Sequence, residues 1–152
     1  MHSYLSRTIF GIAFLAALNS AGASADAFTD FNNPITFVAQ QRIVYAAIAA
    51  NESEREHGLM FRQTLAENQG MLFVYPDQTQ RAVWMKNTLL ALDVVFLTGD
   101  GRIAGLLKNL QPCPRDPCRI YDSRVAARYI LELPAGFIEK HAIQVGQTVA
   151  LP

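Results

Sequence analysis

Trp84-Met85-Lys86-Asn87-Thr88 sets one cation and one amide directly behind the only tryptophan of the chain. An ammonium attracts anions, an indole offers a broad flat face with one N–H donor, and an amide both gives and accepts hydrogen bonds. Gly58-Leu59-Met60-x-Arg62 lies upstream, followed by Gly70-Met71-Leu72-Phe73-Val74, and Leu92-Asp93 follows downstream. We read Arg62, Trp84, Lys86, Asn87 and Asp93 as candidate ligand-binding residues. Each has a plainer reading beside it. Trp84 between Val83 and Met85 suits a core position. Lys86 next to apolar segments needs either a carboxylate such as Asp93 or Glu54, or an anion in a cleft. Asp93 within an apolar run must be hydrogen bonded by Lys86, Arg62 or backbone amides. Asn87 and Thr88 can satisfy the backbone of a turn, and Arg62 can either fork onto a carboxylate or phosphate or end a helix.

Other chemistries find less support. Met60, Met71 and Met85 lie amid Leu, Phe and Val and read as core thioethers, so no metal site or cofactor is expected. Ser123 lacks a Gly-x-Ser-x-Gly elbow, and no histidine is near it in sequence. With no activated nucleophile and no phosphate loop, no catalytic residue is assigned. An enzyme using Lys86, Asp93 and Glu54 as acid–base groups is the alternative to a binding module. A structural interaction domain with no ligand is the third reading.

The elements that must position these residues begin after a leader. Residues 1–25 carry one charge, Arg7, then an apolar run from Ile9 to Leu18, then Ala23-Ser24-Ala25. This pattern predicts a cleaved secretory signal peptide, with retention as a membrane anchor as the rival, and export to the periplasm or medium. Removing it leaves 127 of 152 residues, with 12 basic against 13 acidic side chains. That balance excludes the basic excess that nucleic acids or an anionic membrane would require. A small polar or anionic molecule, or an envelope protein, remains as the expected partner. The length suits one domain, 35–152, behind a short tether, 26–34.

Eight short apolar runs read as strands: 35–38, 42–49, 71–75, 81–85, 94–97, 102–107, 129–133 and 145–151. Pro76-Asp77 signals a stop, and Gly99-Asp100-Gly101 signals a hairpin. Asn51 with Glu54 three residues later resembles a capping box for a helix that begins at Glu52 and fails near Gly58. A second helical turn is expected over 137–141. The prediction is a mostly β (α+β), single-domain barrel-like or sandwich fold with two short helices. Cys113 and Cys118 enclose Pro114-Arg115-Asp116-Pro117. In an exported chain this pair reads as a disulfide, with a labile redox pair or two metal ligands as the alternatives.

Taken in order, residues 51–60, 70–74, 84–88, Leu92-Asp93, 113–118, Tyr121-x-Ser123 and Leu131-Glu132-x-Pro134-Ala135-Gly136 resemble the domain-of-unknown-function 192 family over roughly residues 42–151. The resemblance implies a compact, mostly β fold with short helices and no established activity, cofactor or substrate. Val83 and Ala91 depart from the aromatic and the proline common in that family. A missing proline at 91 frees a backbone dihedral and restores an amide donor, loosening the turn after Thr88.

Overall fold

The computed structural model describes residues 30–152. The expected leader and the first residues of the tether lie outside the described residues. Strands β1 (Asn33–Phe37) and β2 (Arg42–Ala49) lead into helix α1 (Glu52–His57), then β3 (Gln69–Trp84), β4 (Leu92–Leu97), β5 (Ile103–Leu110) and β6 (Ile120–Pro134). Helix α2 (Phe137–Lys140) and the short β7 (Val149–Ala150) close the chain. One seven-stranded sheet runs in the order β5-β4-β6-β3-β2-β1-β7. The β2–β3 pair is parallel and the rest are antiparallel. The sheet curls until its two ends touch. The Ile103 amide donates to the Gln147 carbonyl (2.9 Å), and the Val149 amide to that of Gly101 (2.8 Å). Gly101 has φ +78°, and a Cβ there would collide with the Val149 carbonyl, so the seam requires glycine. The expected mostly β, barrel-like domain with two short helices is what the chain forms.

The long strands revise several boundaries. β3 runs on through Pro76-Asp77, where a stop was expected, and joins two predicted strands into one. Against β6 its register slips between Val74 and Thr79, so Pro76 falls where the ladder makes no regular pairs. A proline that cannot donate is tolerated in such a bulge. β6 begins at Ile120, nine residues before the expected strand, because its half-exposed first half lacks the apolar density that marked 129–133. The run 145–151 forms only the two residues of β7.

Every residue of β4 is buried, since both faces of the sheet are covered. One apolar cluster unites Ile35, Phe37, Val95, Leu97, Leu131 and Leu133 with Phe137 and Ile138 of α2. The other unites Met71, Phe73, Val94, Phe96 and Ile130 with Leu59, just after α1, and Met85. Each such side chain, fully buried, contributes about 1.5–3 kcal/mol.

Candidate functional site

The capping box forms as the sequence implies. The Glu54 amide donates to Asn51 Oδ1 (2.9 Å), and Glu54 Oε2 accepts from the Ala50 and Asn51 amides (2.7 and 3.2 Å). These backbone donors, Ala50 first, hold the Glu54 carboxyl below its ordinary value. Glu54 is thus committed to starting α1. Gly58 ends the helix at φ +49°, and a Cβ there would stand 3.2 Å from the Phe73 ring. Glycine therefore lets the segment after α1 lie close against the sheet.

That segment is tied to the sequence cluster around Trp84. The Phe61 amide donates to the Asn87 carbonyl (2.8 Å), and the Asn87 amide to the Cys113 carbonyl (2.9 Å). Asn87 Nδ2 reaches Met60 Sδ (3.8 Å), and Asn87 itself sits at φ +52°. Asn87 is a turn residue that links three segments. The Thr88 amide closes the turn onto Met85 (3.0 Å). The Cys113–Cys118 disulfide forms, and Asp116 within its loop pairs with Lys86 (Nζ–Oδ2 3.0 Å). Neither Asp93 nor Glu54, the partners expected for Lys86, takes that place. The Lys86 ammonium also lies 5.2 Å from the centre of the Trp84 ring, whose residue is 44% exposed.

Between α1 and the sheet opens a cleft with an interior of about 80 Å³. Trp84 and Lys86 line it, joined by Arg55, His57, Tyr75 and Glu132. Of the five sequence candidates, only Trp84 and Lys86 arrive there. Arg62 packs its guanidinium over Phe31 (4.8 Å). Asp93 lies on the opposite face of the sheet, where Oδ1 accepts from the Asn109 amide (2.8 Å) and Oδ2 from the Ile138 amide (2.8 Å). The first of these holds a bulge in β5, where Asn109 adopts φ +52°, and the second caps α2, whose own N-cap, Gly136, has no side chain to do so. Lys86, Asp93 and Glu54 therefore do not converge, which leaves the acid–base trio without a geometry.

Glu132 is the residue that the reading of the sequence did not single out as a site. It is cross-strand from Met71 on β3 and Val94 on β4, and shares their face of the sheet with Phe73 and Ile130. It is 7% exposed, and among the described residues no hydrogen bond or ion pair engages its carboxyl. Burial among apolar neighbours pushes it up to about 8, so at neutral pH it carries its proton. The signal was present in the sequence, because a single acid inside the apolar strand 129–133 needs the same explanation as Asp93.

Tyr75 stands beside this floor with Arg81 and Arg55 guanidinium carbons 4.0 and 5.0 Å from its ring centre. Burial raises the Tyr75 phenol above its ordinary value. Arg55 also donates to the Ala50 and Val74 carbonyls (2.6 and 3.0 Å). Ser123 is occupied by backbone, accepting from the Arg81 amide (3.0 Å) and donating to the Val125 carbonyl (2.6 Å). Among the described residues, no group of three or more His, Cys, Asp or Glu side chains is gathered for a metal, and no helix is long and apolar enough to cross a membrane.

The fold and cleft define a small curled-sheet domain with a partly enclosed hollow under one helix. The family model DUF192, Uncharacterized ACR, matches residues 35–151, and the chain belongs to that family. A crystal structure from Sinorhizobium meliloti, of a protein named "putative transcription regulator", is 32% identical, with a TM-score of 0.69 over 78% of this chain and 90% of that one. A protein of unknown function from Novosphingobium aromaticivorans has the same fold at 24% identity, with a TM-score of 0.70 over 78% of this chain and 82% of that one. No curated protein matches.

Proposed function

We propose that this chain is an exported binding module that takes a small polar or anionic group into the cleft beneath Trp84 and Lys86. The observation that carries the reading is a buried acid, without a partner among the described residues, on the floor of the cleft, under an exposed indole and a cation. The Glu132 carboxyl opens onto the cleft rather than onto a protein partner, so a polar guest there can supply the hydrogen bond it lacks. The rim is adaptable, since the Lys86–Asp116 pair is solvent-exposed and holds the amine only weakly (side chains 34% and 61% exposed). The disulfide and the leader both support a place outside the cytoplasm. Direct binding of nucleic acid finds no support in 12 basic against 13 acidic residues after residue 25.

A thermal-shift screen of the purified protein against small polar and anionic molecules tests this. A ligand at a hundred times its Kd raises stability by about 2.7 kcal/mol. Such a hit is expected to weaken at least tenfold in Trp84→Ala and Lys86→Ala. Unchanged affinity in both variants overturns the assignment of the cleft.

A further inference from the structure

Glu132 asks what it binds. The interior of about 80 Å³ corresponds to about three water molecules at about 30 Å³ each, so the part of a guest that enters it has only a few heavy atoms. The walls near the floor, Leu59, Phe73, Val83 and Ile130, provide no hydrogen-bonding side chain. At the floor, the polar group that a guest meets is Glu132. Two chemistries fit a buried carboxyl: an amine that takes its proton and pairs, as an ammonium, with the carboxylate left behind, or a carboxylate that accepts a hydrogen bond from the neutral acid. The surroundings decide between them. From α1 and its end come Arg55, Glu56 and His57; from β3 come Tyr75 and, across its ring, Arg81; from the turn after β3 comes Lys86, paired with Asp116. From β4 and the opposing part of β3 only Val94 and Met71 face Glu132. Arg81 is paired with Asp77 (2.6 Å) as Lys86 is with Asp116, and Glu56 is exposed, so Arg55 is the cation of the cleft lining that no ion pair engages among the described residues, and it repels an ammonium while favouring an anion.

We propose that Glu132 is the recognition acid of a carboxylate site, donating its proton in a short hydrogen bond to the carboxylate of a small organic acid whose apolar body rests against Phe73 and Trp84. This rests on the cleft being a binding site and adds the class of ligand. The pocket acid must be neutral to donate, so affinity follows its protonation. Tyr75 remains a neutral phenol across the relevant range, because burial raises it further.

The test titrates the isotope-labelled protein with propionate, and separately with propylammonium, at pH 6 and pH 9, following backbone amide shifts of Met71, Phe73, Val83 and Glu132. Propionate is expected to bind about tenfold more weakly at pH 9, as the neutral fraction of a group near pH 8 falls from nearly all to about a tenth. Imidazoles titrate in the same interval, so the tenfold change must persist in His57→Gln. Glu132→Gln keeps an N–H donor and is expected to bind propionate with no pH dependence. Glu132→Leu suits the apolar surroundings and is expected to lose propionate binding while remaining folded. Propylammonium binding that tightens at pH 9, propionate binding independent of pH in the wild type, or unchanged propionate affinity in folded Glu132→Leu each overturn the proposal. If propionate fails while a screened ligand still depends on Trp84 and Lys86, the carboxylate class falls and the cleft stands.

Discussion

The two faces of the sheet each bury one acid, and they treat it in opposite ways. Asp93 and Glu132 sit one step apart across the β4–β6 ladder, where Asp93 pairs with Leu133 and Val94 with Glu132. On the face covered by α2, Asp93 is 1% exposed and accepts from two backbone amides. On the face covered by α1, Glu132 is 7% exposed, hydrogen-bonded to none of the described residues, with a cleft before it. Burial alone therefore does not distinguish a structural acid from one available to a ligand. The difference lies in whether the fold supplies partners.

Substitution should separate the two sharply. Asp93→Ala strands the buried amides of Asn109 and Ile138, each costing about 1–3 kcal/mol without an acceptor, so a loss of about 4 kcal/mol is expected in chemical denaturation. A loss below about 1 kcal/mol would mean that the two acids are not different in kind. Glu132→Gln should act in the other direction. The folded chain holds the Glu132 proton up to about pH 8, whereas an unfolded chain releases it near 4.5, so between those values the unfolded state binds fewer protons. Stability therefore falls as pH rises through that window. At pH 7 the burden is about 3 kcal/mol, and a buried amide returns about 1 of it, so a net gain of about 2 kcal/mol is expected. Unfolding midpoints of Glu132→Gln between pH 5 and 9 should form a flatter profile than those of the wild type, and parallel profiles would remove Glu132 as the buried titrating group. The smallest effect belongs to the rim. Asp116→Asn breaks only an exposed pair, and its denaturation midpoint should imply a change below about 1 kcal/mol. A larger loss would make the disulfide loop part of the scaffold rather than of the mouth.

The local pieces of this arrangement are legible in sequence because their causes are local. Asn51 and Glu54 form a capping box within one helical turn, Gly99-Asp100-Gly101 turns a hairpin between adjacent strands, and Cys113 and Cys118 are five residues apart. Trp84 and Lys86 stand out by type, and both reach the cleft. Asn87 and Arg62 stand out equally, but their neighbours, Met60, Phe61, Cys113 and Phe31, come from elsewhere in the chain and use them for other ends.

Sequence by itself determined a mostly β domain, the helix start at Asn51, the cysteine pair and an indole–ammonium cluster, all through interactions spanning a few residues or a repeating apolar pattern. Only the tertiary structure decided that Asp93 receives amides from β5 and α2 while Glu132, on the other face, receives none. A two-residue period assigns side chains to faces, but which face is filled and which keeps a hollow depends on where α1 comes to rest, and that is fixed by Gly58 against Phe73 and Phe61 against Asn87.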